Sequence, residues 1–406
     1  MTRTRCLTCK SNNLTKIIDL GMHPMADTFI KETSYGDADK VYPLICDLCE
    51  NCYQIQLRTI TNPDERYVQT EYSYTSSNSP NSRNHWEQYA AKTCIDLKLK
   101  PGSTIVEIGS NDGFLLSKYQ EKGFFCVGID PSEAMKNVAM QRGVQTELQY
   151  FTQKSARQLI AKLNEKPLLI VANNVFNHSN DPLDFALGIS TLLHHDGMFI
   201  FELPYWLRTI QDGKFDQIYH EHVSYFTVSF AVNLFNRANM DVINVEYNDY
   251  HGGSIRVWVA HKQSHKISPS IAEAISAEMS AALFKPRTYQ IFMEELMRRR
   301  DFFLETIYKL RQDGKRFICA GAAAKGNTFL NFYRLDRSAV DYVTDSSPHK
   351  IGKYTPLSRI QIVDDNIVKS YDEVYAIILS WNLFFAISSK LKEHNPNITI
   401  LNPYLS

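Results

Sequence analysis

The sequence lacks long apolar runs and carries no excess of charge of either sign. No stretch approaches the roughly 18 apolar residues that a membrane-spanning helix needs, and residues 1–6 lead into no apolar segment of the kind found in secretory signals. The 44 basic residues balance the 44 acidic residues, which removes a global electrostatic argument for binding nucleic acid or membranes. We therefore expect a cytoplasmic monomer with no nucleic-acid or membrane partner.

The 406 residues are too many for one typical core, since domains usually run about 100 to 200 residues. Residues up to 64 read as short strands and turns. From residue 101, short apolar strands alternate with stretches of helical length, and a second strand-loop-helix unit begins at residue 316 after a long helical region. This alternation predicts an α/β protein with two largely parallel, Rossmann-like sheets.

Cysteine is concentrated at the start of the chain, as Cys6-x-x-Cys9 and Cys49-x-x-Cys52. Two such knuckles can present four thiolates to a tetrahedral zinc ion. A closed four-thiolate site leaves no position for substrate, so we predict a structural Zn²⁺ that stabilises a module too small to fold on its own core. A catalytic zinc is the weaker alternative, and Cys46 offers an alternative pair with Cys49.

Paired cysteines also occur in nucleic-acid-binding fingers, which need a basic surface to neutralise phosphates. Residues 1–60 carry seven basic and seven acidic side chains. This balance disfavours the finger interpretation.

A glycine loop follows the first strand of the central region, in the segment Val106-Glu107-Ile108-Gly109-Ser110-Asn111-Asp112-Gly113. The next strand ends about 20 residues later at a carboxylate placed to bind ribose hydroxyls. The loop lacks the Gly-x-Gly-x-x-Gly dinucleotide motif, and its acidic and amide side chains suit a ligand with a sulfonium and no pyrophosphate. We predict S-adenosylmethionine as the cofactor, bound by Glu107, Gly109, Asn111, Asp112 and Asp130. An acidic turn in another kind of α/β domain is the alternative.

Three further residues extend this predicted cofactor site. Asn173 and Asn174 lie at the carboxyl end of the third strand, where they would contact the methionyl portion of the donor. Phe151 follows another strand end and either stacks on adenine or packs in the core.

Motifs along essentially the whole chain resemble those of one enzyme family. They are the two cysteine pairs, Asp19-Leu20-Gly21-x-x-Pro24, residues 106–113, Asn173-Asn174, Phe201-Glu202-x-Pro204-Tyr205, residues 215–222, His251-Gly252-Gly253 and Gly321-Ala322-x-Ala324-Lys325-Gly326. Together they resemble the sugar C-methyltransferases that act on nucleotide-activated 4-keto-deoxysugars. The resemblance implies a zinc-binding module over 1–64, an S-adenosylmethionine-dependent methyltransferase domain over 65–245 and a C-terminal Rossmann-like domain that binds the nucleotide sugar over 246–406.

The same resemblance implies methylation at carbon 3 of a TDP- or GDP-linked 4-keto-deoxysugar. A carbon next to a ketone can lose its proton once the enolate is stabilised, and the carbanion can then attack the sulfonium methyl group. The enzyme must supply a base, donors for the enolate oxygen and close alignment.

By resemblance, the segment Tyr219-His220-Glu221-His222 carries this chemistry. His222 would be the base or a proton relay, Tyr219 would face the sugar oxygens and Glu221 would orient or polarise them. A strand would send alternate side chains to opposite faces, so we expect a turn or loop here. A metal-binding or purely structural pair of histidines remains open. A tyrosine of the 71–81 linker, Tyr74 in preference to Tyr72, would fold over the active site.

The second glycine turn opens a helix, where backbone N–H groups and one ammonium could bind the diphosphate. A tight turn without a ligand is the alternative. The predicted substrate contacts are Gly321, Ala322, Lys325, Gly326 and Asn327 of this turn, Asp345 after the next strand as a ribose partner, and Tyr205 and His178 of the central domain.

Three other functions are also compatible with the sequence. The C-terminal unit would serve a nucleotide-sugar oxidoreductase or isomerase if it bound NAD, although it lacks Gly-x-Gly-x-x-Gly. The same fold would also serve O- or N-methylation of a nucleotide sugar. A zinc-dependent scaffold without catalysis would need neither the donor loop nor residues 219–222.

Overall fold

The computed structural model describes residues 2–67, 75–402 and 404. Within them the strands are β1 (Leu14–Pro24), β2 (Val41–Cys49), β3 (Ile55–Leu57), β4 (Thr104–Ile108), β5 (Phe125–Asp130), β6 (Gln145–Leu148), β7 (Leu169–Asn173), β8 (Met198–Pro204), β9 (Ser224–Tyr225), β10 (Met240–Asn248), β11 (Ser254–His261), β12 (Phe317–Ala320), β13 (Val343–Thr344), β14 (Ile362–Val363), β15 (Val374–Ile378) and β16 (Ile398–Leu401). The α-helices are α1 (Pro63–Tyr67), α2 (Pro80–Asp96), α3 (Phe114–Gln120), α4 (Glu133–Gln141), α5 (Gln153–Ile160), α6 (Pro182–Leu192), α7 (Trp206–Gln211), α8 (Val228–Arg237), α9 (Pro269–Ser280), α10 (Pro286–Gln312), α11 (Ala324–Tyr333) and α12 (Phe384–His394).

The N-terminal sheet is antiparallel, in the order β1-β2-β3-β9. Its last strand comes from far along the chain, with Ile55 opposite Tyr225 and Gln56 opposite Ser224. All three residues of β3 are buried, including the polar Gln56, because the strand has neighbours on both edges and is covered on both faces. The cysteine-rich module therefore shares its sheet with the central part of the protein.

The central sheet has the order β10-β11-β8-β7-β4-β5-β6. In it, β11 runs in the direction opposite to the other strands. Its inner parallel strands β4, β7 and β8 are mostly apolar and buried, as expected for strands that are covered by helices on both faces. The first strand, β4, pairs with β5 on one side and β7 on the other. A crevice for a ligand is expected at the carboxyl ends of these strands, where the strand order reverses.

The C-terminal sheet is fully parallel, in the order β14-β13-β12-β15-β16. Its first strand, β12, lies between β13 and β15, so the order reverses there as it does around β4. The predicted α/β class with two Rossmann-like sheets is confirmed.

The hairpin β10–β11 belongs to the central sheet, because β11 pairs with β8 from Ser254 opposite Pro204 to Val259 opposite Phe199. The predicted division between residues 245 and 246 falls inside β10 and would cut this hairpin. We therefore propose that the C-terminal domain begins after His261.

The three sheets share one continuous core. Ile18 of β1, Phe201 of β8 and Phe329 of α11 belong to a single cluster of buried side chains and are each at most 1% exposed. This packing holds the three sheets together through shared buried side chains. Across the described residues, no helix combines the length and apolar character needed to cross a membrane.

Candidate active site

The four cysteines of the two knuckles converge. Their Sγ atoms all lie within 4.8 Å of one another, with 3.5 Å between Cys6 and Cys52 and 3.5 Å between Cys9 and Cys49. None of them is in a disulfide. A zinc ion with Zn–S bonds near 2.3 Å needs sulfur atoms roughly 3.8 Å apart, so the cluster fits a four-cysteine zinc site. Cys46 packs in the main core instead.

The donor loop approaches its neighbour so closely that only glycine fits at its start. Gly109 has φ +67°, and a Cβ there would lie 2.2 Å from Cγ2 of Val175. The Asp130 carboxylate accepts hydrogen bonds from the backbone N–H groups of Asn111 (2.9 Å) and Ser132 (2.8 Å). These bonds fix the loop at the carboxyl ends of β4 and β5.

Buried polar atoms without hydrogen-bond partners gather at the same edge of the sheet. Within the described part of the chain they include Oε2 of Glu107, Oγ of Ser110 and both amide atoms of Asn173. Burial, helped by the charges of Asp112 and Asp130, raises the pKa of Glu107 well above its ordinary value. Since buried polar groups are normally hydrogen bonded, these atoms indicate a polar ligand. The amino-acid portion of S-adenosylmethionine would supply the missing partners.

The Asn111-Asp112 pair is used differently from the prediction. The Asp112 carboxylate is fully buried and accepts from the hydroxyls of Ser76 (2.5 Å) and Ser77. Oδ1 of Asn111 accepts from the N–H of Ser76 at 2.9 Å. Both side chains therefore anchor the end of the linker over the loop, and the Asp112 oxygens are occupied within the protein.

Two other residues that were predicted to contact the methyl donor, Phe151 and Asn174, make contacts within the protein. The Phe151 ring packs edge-on against Phe185 at 4.9 Å and lies beside Gly188 of α6, which favours the core alternative. Asn174 takes a left-handed φ of +53°, and its N–H donates to the carbonyl of Glu202 at 2.7 Å.

The predicted catalytic segment is a turn, in which the N–H of His222 donates to the carbonyl of Tyr219 at 2.9 Å. Nδ1 of His222 lies 2.9 Å from the carbonyl of Gln217. Because a carbonyl can only accept, Nδ1 carries the proton, and the lone pair of Nε2 faces the Tyr219 hydroxyl at 2.6 Å. Burial lowers the pKa of His222 to about 3, so the imidazole is neutral and its Nε2 lone pair can accept a hydrogen bond.

Glu221 and His220 turn towards the N-terminal module. Oε1 of Glu221 accepts from the N–H of Asp27 at 3.1 Å, while Oε2 is buried without a hydrogen-bond partner among the described residues. Burial raises the pKa of Glu221 to about 7. Nε2 of His220 lies 3.4 Å from the carbonyl of Pro43, so His220 and His222 point to different surroundings and do not form a metal pair.

His178 lies beside the catalytic turn. Its ring is nearly perpendicular to that of His222, with centroids 5.0 Å apart, and its Nδ1 lies 2.5 Å from the Tyr67 hydroxyl. The Arg66 guanidinium donates to the carbonyls of His178 (3.3 Å) and Glu221 (3.4 Å). The structure thus brings His178 to the predicted site, whereas Tyr74 lies outside the described residues.

Tyr205 differs from the predicted substrate contact. It is 2% exposed, and its hydroxyl donates to Oε1 of Glu278 at 2.9 Å. The same carboxylate accepts from Ser229 at the start of α8. Glu278 is itself 0% exposed. Tyr205 therefore belongs to a buried network that binds it to a helix 73 residues further along the chain.

The C-terminal glycine turn has the same construction as the donor loop. Gly321 has φ +89°, and a Cβ there would lie 2.5 Å from Oγ of Ser380. The Asp345 carboxylate accepts from the N–H groups of Ala322 and Ser347, both at 2.8 Å. At Gly326 a Cβ would lie 2.8 Å from Leu379, so this glycine allows α11 to pack closely on β15.

Asn327 also differs from the prediction. It is 1% exposed, and its Nδ2 donates to the carbonyl of Ala26 at 2.5 Å. The side chain thus binds the N-terminal module to α11, and its donor is not directed at a diphosphate.

Lys325 lies between the C-terminal unit and the catalytic turn. Its Nζ donates to Oδ1 of Asn382 at 2.7 Å and lies 4.4 Å from the Trp381 ring centroid. Burial lowers the pKa of Lys325 to about 8, although nearby Asp216 opposes this shift. The Lys325 charge also contributes to the lowered pKa of His222, and the indole beneath its ammonium donates to Asp216, six residues before His222.

Sequence reasoning assigned no role to the residues that join the two Rossmann-like units. Nε1 of Trp381 donates to Oδ2 of Asp216 at 2.7 Å, and Lys214 lies over the same indole ring at 5.1 Å. Gly252 leaves the space that this indole fills, since a Cβ there would lie 2.1 Å from the ring. The motifs around Asp216 and at His251-Gly252-Gly253 marked these segments as important in the sequence. No sequence pattern indicated that they contact Trp381.

Three family models match the chain in the order of its sheets. Residues 6–67 match "Putative zinc binding domain", residues 83–245 match "Methyltransferase domain" and residues 249–398 match "C-methyltransferase C-terminal domain". Together the three matches span most of residues 6–398. This C-methyltransferase is an S-adenosylmethionine-dependent enzyme with a four-cysteine zinc site, as predicted.

One relative and two solved structures are similar to parts or most of this chain. The C-methyltransferase NovU of Streptomyces niveus is 29% identical over 393 residues, which cover 97% of this chain and 93% of NovU. Among solved structures, the plantazolicin methyltransferase BpumL in complex with SAH has a TM-score of 0.37 and 15% identity, covering 50% of this chain and 92% of BpumL. Magnesium protoporphyrin IX methyltransferase of Synechocystis PCC 6803 has a TM-score of 0.35 and 14% identity, covering 44% and 83%. The C-methyltransferase assignment rests on the family models and NovU.

Proposed function

We propose that this C-methyltransferase methylates carbon 3 of a TDP- or GDP-linked 4-keto-deoxysugar. The observation that carries the proposal is the neutral Tyr219–His222 pair, in which the Nε2 lone pair of His222 faces the Tyr219 hydroxyl at 2.6 Å and can take its proton. Carbon methylation needs such a base, whereas oxygen and nitrogen acceptors are already nucleophilic or easily deprotonated.

Tyr219 and His222 form a route for the proton of carbon 3. The Tyr219 oxygen takes this proton while the phenolic proton moves to Nε2 of His222, which the Nδ1–H bond to Gln217 holds in the correct tautomer. Glu221, with a pKa raised to about 7, is protonated in a large fraction of molecules at neutral pH. The acid form can donate a hydrogen bond to the developing enolate oxygen.

The two ligands occupy different crevices. S-adenosylmethionine, when bound beside Gly109, supplies an electrophilic methyl group. The free N–H groups at the start of α11 and the Lys325 ammonium suit a diphosphate. Asp345 keeps unused lone pairs beyond its two backbone bonds, and these can accept from a ribose hydroxyl.

Proton exchange tests the catalytic pair directly. In D₂O the enzyme should exchange the hydrogen at carbon 3 of a TDP- or GDP-linked 4-keto-6-deoxysugar, observed by NMR. His222→Asn and Tyr219→Phe should lose this exchange and lower kcat by about 10² to 10⁴-fold, with the Kd for S-adenosylhomocysteine unchanged. His220→Asn, which alters a neighbouring ring that contacts Pro43, is the matched control and should lower kcat by less than about tenfold.

Three outcomes would contradict parts of the proposal. Unchanged turnover of His222→Asn would remove that residue from proton transfer. Exchange at carbon 5, the other carbon beside the ketone, would move the methylation site. A labelled methyl group found on oxygen or nitrogen of the product would exclude carbon chemistry altogether.

A further inference from the structure

The catalytic turn continues directly into the N-terminal sheet. Only Val223 separates His222 from β9, and the N–H of Leu57 in β3 donates to the carbonyl of Val223 at 2.9 Å. Ile55 then lies opposite Tyr225 in the ladder. The backbone that follows His222 is therefore held by the strand that follows the second zinc knuckle.

A buried glutamine connects the first zinc knuckle to the same place. Gln54 is 0% exposed. Its Oε1 accepts from the N–H of Thr8, between Cys6 and Cys9, at 3.1 Å, and its Nε2 donates to Oγ of Ser224 at 3.0 Å. One amide thus spans the distance between the zinc knuckle and β9.

Two further contacts hold the turn from the side of the module. The N–H of Asp27 donates to the Glu221 carboxylate at 3.1 Å, and His220 reaches the carbonyl of Pro43 at 3.4 Å. Apart from His222, each residue of 220–225 therefore contacts the module directly. His222 instead contacts the Tyr219 hydroxyl and the carbonyl of Gln217.

We propose that Gln54 is a positioning residue that couples zinc binding to the placement of the Tyr219–His222 pair. This inference rests on the proposed function of that pair. The zinc ion, by fixing the backbone of residues 6–9, holds Thr8 against Gln54, and Gln54 holds Ser224 and the turn before it. The zinc module then has a part in catalysis as well as in folding.

The magnitude of the coupling follows from geometry and burial. Loss of the Gln54 amide leaves Thr8 N–H and the Ser224 hydroxyl without their buried partner, which favours a shift of β9 to find another. A displacement of about 1 Å at a catalytic group can lower the rate of reaction by about 10²-fold. A partial shift should therefore be visible in kcat.

The test compares Gln54→Leu with Gln56→Leu. Gln56 is also 0% exposed and also binds the first knuckle, with Oε1 accepting from the N–H of Leu7 at 2.8 Å. Its Nε2 donates to the carbonyl of Arg5, so among the described residues it is not the amide that bonds Ser224. At equal zinc content, Gln54→Leu should exchange the backbone amides of 219–226 about tenfold faster and have a kcat about tenfold lower than Gln56→Leu. The KM for S-adenosylmethionine should stay the same in both variants.

Ser224→Ala tests the other end of the bridge without touching the knuckle. It should reproduce the faster exchange of 219–226 with zinc fully retained, as measured by metal analysis. Removal of zinc by a chelator should raise exchange in the same peptide of the full-length protein.

Unchanged exchange of 219–226 in both Gln54→Leu and Ser224→Ala would overturn the coupling, whatever the activity. If the amides of 219–226 exchanged faster but kcat did not change, Gln54 would have no effect on catalysis. That result would also overturn the proposed catalytic role of the turn. Because exchange does not depend on turnover, failure of the coupling and failure of the proposed function are separable.

Discussion

The central and C-terminal Rossmann-like units hold the glycine loops that follow their first strands, β4 and β12, with the same backbone hydrogen bonds. The N–H of Gly109 donates to the carbonyl of Ile129 at 2.7 Å, and the N–H of Gly321 donates to that of Thr344 at 2.8 Å. In each unit, an aspartate at the end of the second strand, Asp130 or Asp345, accepts two backbone hydrogen bonds. One comes from an N–H of the glycine loop, and the other comes from the residue two positions after the aspartate. The shared arrangement fixes the position of each loop but does not select a ligand.

The side chains at two equivalent positions differ in charge. Two residues before the glycine, the central unit has Glu107 and the C-terminal unit has Cys319, both buried. Four residues after it, the central unit has Gly113 and the C-terminal unit has Lys325. A carboxyl group suits a ligand with a sulfonium and an amino group, whereas an ammonium suits a diphosphate. We infer that these two positions determine which ligand each crevice accepts.

Substitution of the two glycines should separate the crevices most strongly. Gly109→Ala places a methyl group against Val175, and Gly321→Ala places one against Ser380. We expect Gly109→Ala to weaken S-adenosylhomocysteine binding by about 100-fold with nucleotide binding retained, and Gly321→Ala to do the reverse, since both also strain a positive φ. Isothermal titration calorimetry with S-adenosylhomocysteine and with TDP or GDP measures both.

Gly143→Ala is the control for backbone strain, because Gly143 has φ +78° but open space around its Cα. It should lower thermal stability slightly and leave both affinities unchanged. Loss of both ligands in either Gly109→Ala or Gly321→Ala would contradict two independent crevices.

The shared carboxylates should matter equally for stability. Asp130→Asn and Asp345→Asn each leave one backbone N–H without its acceptor. Each substitution should therefore lower the free energy of unfolding by about 1–3 kcal/mol, measured by urea unfolding. A large cost in one unit and none in the other would show that the two loops are not held alike.

The pH dependence of binding should differ between the units. Because burial lowers the pKa of Lys325 to about 8, its ammonium is present below pH 8 and lost above it. The affinity for TDP or GDP should fall by up to about tenfold per pH unit above pH 8, while that for S-adenosylhomocysteine stays level. Lys325→Arg, which keeps its charge, should remove the dependence; the same slope in that variant would assign the titration to another group.

Features encoded in short segments could be predicted from the sequence. The four cysteines and the glycine loop with its carboxylate lie in patterns whose geometry follows from local strand and turn structure. The turn at residues 219–222 was also predictable, because a strand would have separated Tyr219 from His222.

The partners of other residues could not be predicted, since they come from distant parts of the chain. Tyr205 binds Glu278, Asn327 binds the carbonyl of Ala26 and Trp381 binds Asp216. A motif shows that a polar residue is present, but it does not show whether that residue binds a ligand or another part of the protein.

The position of β9 has a consequence for synthesis of the chain. Ser224 leaves the ribosome 170 residues after Gln54, roughly 10 to 30 s later at typical elongation rates. Until then the four cysteines can already hold their metal, but the free edge of β3 has no strand beside it, and an uncovered edge invites pairing with other chains. A nascent or truncated chain that ends before β9 should therefore be prone to aggregate even when its zinc site is filled.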